Sequence, residues 1–267
     1  MLYDPIKDRL GRFFTASPIL QRLFYRLLDI LFLRSWYVRR ELGGVFSALD
    51  NREEVRVLDA GSGFGQYTYF MLRRFGRARV TAVDLKEDYL KMSERFISTT
   101  PFSDRSSFAV DDLTDLRTRG PFDIVLSVDV MEHIENDERV LENFERVLAP
   151  GGFVLINTPS DMGGSGVFDE GDEGFIGEHV RDGYGMQDLC DKLTRAGLTV
   201  VRARYSYGPY GSAAWKLSIQ IPMMLLSASW LALVLLIPYY MIILPISLVL
   251  NAIDVSVENR CGTGLLV

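Results

Sequence analysis

The stretch Val57-Leu-Asp-Ala-Gly-Ser-Gly-Phe-Gly65 decides how this 267-residue chain is read. Residues 55–60 (VRVLDA) are a short hydrophobic run that predicts a buried strand. Residues 66–75 place Tyr67, Phe70, Met71 and Phe75 on one helical face. Glycines between them let the backbone turn sharply and approach a ligand closely, at the point where a doubly wound sheet binds nucleotides. The spacing is G-x-G-x-G, whereas a dinucleotide fingerprint reads G-x-G-x-x-G and brings a pyrophosphate to the helix N-terminus. Asp59, two residues before the first glycine, would repel a pyrophosphate but suits a ligand carrying an ammonium or sulfonium. An NAD-dependent oxidoreductase is disfavoured on both counts.

Working outward, RVTAVD ends a second strand in Asp84, placed to accept hydrogen bonds from ribose hydroxyls, with Leu85 next. In FAVDDLTDL a strand ending near Val110 is followed by Asp111, Asp112 and Leu113, from which Asp112 could reach an adenine amino group. Each acid alone reads equally as a strand-end or helix cap; the ordered set points to one nucleotide site. Residues 122–127 predict another strand, and 135–148 a helix with Val140, Leu141, Phe144, Val147 and Leu148 as its stripe. Pro150-Gly151-Gly152 turns the chain into a strand over 153–157. A helix over 186–196, a strand over 198–207 and a final strand over 262–267 (GTGLLV) complete the series.

With those segments in order, the chain resembles the class I S-adenosylmethionine-dependent methyltransferases, in particular the quinone- and lipid-type, methyltransferase type 11-like members. The segments that carry the resemblance are VLDAGSGFG, AVDLKEDYL, DDLTDL, FDIVLSVDVMEHI and LAPGGFVLINTPS, within about residues 55–207. It implies an α/β, Rossmann-like sheet of seven mostly parallel strands, the last antiparallel. It also implies S-adenosyl-L-methionine held by Asp59, Gly61, Ser62, Gly63, Gly65, Asp84, Leu85, Asp111, Asp112 and Leu113, with Ser127 and Val128 towards the methionine end. Amino-directed members often carry an Asn/Asp-Pro-Pro-aromatic motif after the fourth strand; Asp129-Val-Met-Glu-His133 differs, so oxygen or carbon methylation is preferred. Family resemblance identifies the cofactor far better than the acceptor.

In-line methyl transfer requires donor and acceptor to be desolvated and aligned, and a hydroxyl acceptor benefits from a base titrating near neutrality. The chain has two histidines, His133 in MEHI and His179 in GEHVRDGYG; these are the candidate bases, although either could instead orient a loop or cap a helix. Glu132 is the weaker candidate. Cys190 and Cys261 form no C-x-x-C pair, so no structural zinc site or disulfide framework is expected. A net charge of −6 gives no hint of nucleic-acid binding.

Two departures from a plain methyltransferase set the domain plan: a helical extension over 1–50, then a methyltransferase domain over 51–267 with an apolar insertion at 208–255. Residues 217–253 contain no charged side chain, too apolar for an ordinary surface connection. Because the strands before and after it belong to one sheet, the segment must return to the side it left. Pro238 divides it into arms of 21 and 15 residues. The second, about 22 Å as a helix, is short of a hydrocarbon core of roughly 30 Å, and Pro222 and Pro245 break the helices of the two arms further. A re-entrant or in-plane hairpin is expected, with Trp215, Trp230, Tyr239 and Tyr240 at the interface; a homodimer interface or internal lid is the alternative.

Residues 1–48 carry eight basic and four acidic side chains, leaving −10 for the remainder, with aromatic and aliphatic residues between the cations. Such helices suit an anionic, cytoplasmic membrane face or pack over the active site. The leading MLYDPIKDRL lacks an apolar run before a small-residue cleavage site, so no signal peptide is expected. Residues 161–178 hold six glycines and six acids, a hydrated loop or a gate. The expected activity is methyl transfer to an amphiphilic acceptor at the membrane. The alternatives are a soluble acceptor with the insertion as a dimer interface, or a non-catalytic nucleotide-binding assembly protein.

Overall fold

A computed structural model describes residues 17–163, 180–228 and 232–267, and side chains of 228–233 are not described. His179, Trp230 and most of the acidic glycine loop therefore lie outside the described residues. The chain enters through α1 (Pro18–Leu31) and α2 (Leu33–Ala48). Ser17 caps α1 by accepting the Ile19 N–H at 3.3 Å, with Pro18 at the first helical position. Then follow β1 (Val55–Ala60), α3 (Gln66–Arg74), β2 (Ala78–Asp84), α4 (Glu87–Ser98), β3 (Ser106–Val110), β4 (Phe122–Val128), α5 (Asp137–Val147), β5 (Leu148–Pro159), α6 (Met186–Arg195) and β6 (Arg204–Ser206). After the apolar insertion, β7 (Gly264–Leu266) completes a seven-stranded sheet in the order β3-β2-β1-β4-β5-β7-β6, with only β7 antiparallel to its neighbours.

Both faces of that sheet are covered, which is why its central strands read as unbroken hydrophobic runs. Tyr37, Leu42 and Phe46 of α2 pack with Met71 of α3 and Phe96 of α4 on one face. Val140, Leu141 and Phe144 of α5 meet Leu189 and Leu193 of α6 on the other. The stripe predicted for α5 is the buried face observed, save that Leu148 begins β5. Cys190, read as packing, is half-buried on α6.

The strand expected over 198–207 is realised only as Arg204–Ser206; residues 198–203 run beside the sheet without ladder pairing. The physical reason is its neighbour: β7 pairs Leu266 with Arg204 and Gly264 with Ser206, and no strand lies alongside 198–203 to take up their hydrogen bonds.

The insertion is a helical hairpin, but it does not divide at Pro238. Its first arm joins α7 (Pro209–Trp215), a π-turn (Lys216–Gln220) and α8 (Ile221–Ala228). Its second is one helix, α9 (Ala232–Ser256), with Pro238 and Pro245 inside it. The connection thus falls between 228 and 232, and the arms are about 30 and 37 Å long at ~1.5 Å per residue. Pro222 stands at the second residue of α8 without breaking the first arm. The carbonyls of Leu217 and Ser218, a turn earlier, accept from the hydroxyls of Tyr239 and Tyr240, each at 2.7 Å. Those two tyrosines tie the arms together.

A buried polar cluster fastens the hairpin to the catalytic body. The Asp254 carboxylate accepts the Gly211 N–H at 2.9 Å and the Tyr37 hydroxyl at 2.8 Å, serving the N-terminus of α7. Arg204, almost fully buried, donates to the carbonyls of Val255 and Val257 at 3.2 and 3.0 Å.

Candidate active site

The glycine turn follows β1 directly. Gly61, Gly63 and Gly65 have φ of +78°, +50° and +76°, the left-handed region that side chains disfavour. At Gly61 a Cβ would collide with Val130, and at Gly65 it would lie 2.6 Å from Ser93 Oγ, whereas at Gly63 it would meet open space. The turn therefore packs tightly at both ends and bares its middle backbone. Asp84, at the end of β2, accepts the Gly63 N–H on one carboxylate oxygen and the Lys86 N–H on the other, both at 2.8 Å. Asp59, almost fully buried, accepts the Thr68 hydroxyl at 2.5 Å. Burial pushes its carboxyl up to about 7; Thr68 pulls it back and the nearby Asp84 charge adds to the rise.

Asp111 has a structural task. It is buried and accepts the N–H groups of Arg117 and Thr118 and the Thr118 hydroxyl, closing the turn over 111–118. Those bonds hold its carboxyl below the usual range against the opposing effect of burial. Asp112 is the exposed acid of the pair and caps the following turn through Thr114 at 2.8 Å. Leu113 is buried in the core, while Leu85 stands largely exposed past the end of β2. Asp59, Asp84, Asp112, Ser127 and Val128 thus line the carboxyl edge of four adjacent strands.

Three buried polar atoms at that edge have no hydrogen-bond partner among the described residues: Ser62 Oγ, Ser127 Oγ and Asn157 Oδ1. Such atoms are costly unless a ligand or water serves them. Together with the open space at Gly63 and the acids Asp59 and Asp84, they fit a nucleoside carrying a cationic group.

Beyond β4 the chain bends at Asp129, whose φ is +52°. Its carboxylate forms an ion pair with Arg34 and accepts from the Asn157 amide at 2.9 Å. Arg34 also donates its backbone N–H to the Tyr207 hydroxyl at 3.2 Å, so α2 is fixed to the ends of both β4 and β6. Tyr25 of α1 donates to the Phe64 carbonyl in the glycine turn, and Gln66 donates to Asp29 and Ser35 at 3.0 Å each. The N-terminal helices therefore lie against the nucleotide crevice.

His133 is exposed on the turn after β4. The residue before it is a buried acid. Glu132 is buried, accepts the Thr158 hydroxyl at 3.1 Å, and has its carboxyl raised to about 7 by burial despite the Arg34 and Arg181 charges. Arg34, Asn157, Thr158 and Tyr207 were not singled out by the sequence. Arg34 reads there as one of eight basic residues in an extension; only its spacing from Trp36 and Tyr37 on a mostly buried helix could have hinted at an inward role.

Residues 57–152 match the family model described as a methyltransferase domain. Over 104 residues the chain is 33% identical to the ubiquinone biosynthesis O-methyltransferase of Dechloromonas aromatica, covering 39% of this chain and 44% of that one. Over 118 residues it is 25% identical to the malonyl-[acyl-carrier protein] O-methyltransferase of Priestia megaterium, covering 44% and 40%. The chain spans less than half the length of these curated relatives. In fold it is similar to a solved Galdieria sulphuraria protein, a candidate sarcosine dimethylglycine methyltransferase, at a TM-score of 0.56 and 18% identity over 84% of this chain and 82% of that one. Strand order, glycine turn and acid placement agree with these matches: residues 57–152 form a methyltransferase domain, and the chain has a Rossmann-like methyltransferase fold.

Proposed function

We propose that the protein is an S-adenosylmethionine-dependent methyltransferase acting on an oxygen or carbon of an amphiphilic acceptor, of quinone, isoprenoid, pigment or lipid type, at a membrane surface. The bound cofactor supplies an electrophilic methyl group on a cationic sulfur. Asp84 and the Gly63 backbone hold the nucleoside, Asp112 lies within reach of the base, and Asp59 carries the carboxylate that attracts the cationic end. Glu132 would take a proton from an acceptor hydroxyl, a role its raised carboxyl and the orienting bond from Thr158 support. His133 borders the same region, and His179 keeps its proposed role as the second candidate base.

The observation that carries the membrane reading is the outside of α9. Val234, Leu235, Ile237, Met241, Ile242 and Val249 are each more than half exposed on a helix whose Ser247, Asn251 and Asp254 are buried. Residues 234–256 are long and apolar enough to cross a membrane, and little of that stretch is covered by the rest of the molecule. The O-methyltransferase named for ubiquinone biosynthesis among the relatives supports an acceptor with an apolar tail. On this reading the protein sits at the cytoplasmic face, with the uncharged stretch 217–253 of the hairpin in the lipid. The alternative, a soluble acceptor with α9 as a homodimer interface, rests on the same exposed face.

Incubating membrane extracts with methyl-labelled cofactor tests the reaction. Label in a lipid-extractable product is expected with the natural chain. Asp84→Ala should weaken cofactor binding about 10- to 100-fold, from the loss of roughly 1.5–3 kcal/mol of charge-assisted hydrogen bonding. Label confined to water-soluble products would overturn the acceptor class.

A further inference from the structure

The hairpin buries polar side chains in its uncharged stretch. Residues 217–253 carry no charge, yet Ser218, Ser247 and Asn251 within them are at most 8% exposed. Ser218 is served, since its hydroxyl donates to the Ala214 carbonyl at 2.8 Å. Ser247 Oγ is buried with no hydrogen-bond partner among the described residues. Asn251 follows four residues later on the same face of α9, and its amide makes no hydrogen bond to any described residue. Asn251 and Ser218 line a narrow seam with Trp215, with Leu31 and Leu33 at the turn between α1 and α2, and with Tyr207 beyond β6.

Tyr207 belongs to this seam and to the candidate active site. Its hydroxyl accepts the Arg34 N–H at 3.2 Å, and Arg34 pairs with Asp129 in the loop that carries Glu132. What can serve the Asn251 amide is restricted. The seam is too narrow for a water molecule, and hydrocarbon offers no hydrogen bond. No charged side chain lines it, so an ionised head group would enter without a counter-charge. What remains is a neutral group with carbonyl or hydroxyl oxygens, which can accept from the Asn251 amide and from the Ser247 hydroxyl. Trp215, half-buried at the seam, is the side chain whose rotation would admit a flat ring.

We propose that this seam is a binding site for a neutral ring that carries carbonyl or hydroxyl oxygens and an apolar tail. The oxygens take hydrogen bonds from Asn251 and Ser247, and the tail follows the exposed apolar outside of α9. Tyr207 then stands between the bound ring and the loop of Glu132, so the seam is the route by which an acceptor leaves lipid for the methyl donor. That last step rests on the methyl-transfer reading; the binding does not.

The test uses the full chain in lipid nanodiscs, with the cofactor absent and a decyl-tailed benzoquinone as probe. Quinones quench tryptophan fluorescence, and Trp215 reports on the seam. Saturable quenching is expected in the natural chain, above the linear quenching that partition into lipid produces. Asn251→Leu should raise the half-saturating concentration about 10-fold, the scale of a lost hydrogen bond to a buried group, while affinity for S-adenosylmethionine stays unchanged. Should that variant fail to fold, Ser247→Ala, which removes only an unpartnered hydroxyl, makes the comparison alone. Quenching that never saturates, equal half-saturation in the natural chain and the variants, or equal competition by decyl phosphate would overturn the proposal. Earlier melting of Ser247→Ala would show its hydroxyl to be an internal tie and overturn it too. Saturable binding without a labelled lipid product in membrane extracts upholds the seam and removes only the acceptor reading. A labelled lipid product without saturable binding overturns the seam alone.

Discussion

At the residue scale, Asp59 sets a pH dependence. Its folded-state carboxyl titrates near 7, raised by burial from an ordinary value near 3.8. A raised acid favours the fold while protonated, so its contribution to stability is complete below the unfolded value and is lost as pH rises through about 7. Attraction of a cationic ligand needs the opposite form. Affinity for S-adenosylmethionine should therefore climb between pH 5 and 7, by up to about tenfold per unit, and level off above about 8. Asp59→Asn should flatten that profile. Calorimetry across the pH series would decide, and a flat natural profile would remove Asp59 from the cationic end. A second prediction concerns Glu132: Glu132→Gln should slow turnover at least 100-fold, the usual scale for a general base, with cofactor affinity preserved. A loss of affinity without a loss of turnover would instead make Glu132 part of the loop's framework.

At the element scale, the two hairpin tyrosines give a test specific to the proline. Tyr239→Phe together with Tyr240→Phe would remove the hydroxyl bonds to the carbonyls of Leu217 and Ser218, costing about 0.5–1.5 kcal/mol for each. Thermal melting in detergent should show the hairpin loosening well before the catalytic body, whereas both single variants of an interfacial tyrosine would leave melting unchanged. The pairing also shows where the sequence stops being legible. Local signals placed β1, β2, β4, α3 and α5 within a residue or two, because a hydrophobic run or stripe announces its own burial. Pro238 misled, because a proline signals only what its own turn lacks, and α9 runs through it from Ala232 to Ser256; near Pro222 the donors come from the facing helix, 22 residues from the carbonyls they serve and in no register that a local pattern fixes. Arg34 was illegible for the same reason, since its meaning is its meeting with Asp129 across 95 positions of chain. Residues 198–203 look like strand by pattern, yet a strand also requires a neighbour.

At the scale of the whole molecule, one topological fact constrains the rest: β6 and β7 are neighbours, so both arms of the hairpin start from the same edge of the sheet. A hairpin leaving and returning at that edge, with an uncharged exterior, orients the catalytic body relative to any lipid surface it enters. The exposed apolar stripe of α1, formed by Ile19, Leu23, Leu27 and Ile30 with Arg22 and Arg26 beside it, has the composition of an interfacial helix. Because α1 and α2 also lie on the glycine turn, the element that would meet lipid headgroups is the one that covers the cofactor crevice. Leu235, Ile242 and Val249 recur every seven residues on the exposed side of α9. Replacing all three by lysine adds roughly 2.5–3.5 kcal/mol each for insertion near a bilayer centre. The triple variant should stop floating with anionic vesicles while binding S-adenosylmethionine with unchanged affinity. If α9 is a dimer seam instead, the natural chain will sediment as a dimer without detergent, and the same three lysines will convert it to a monomer whose behaviour towards vesicles never differed.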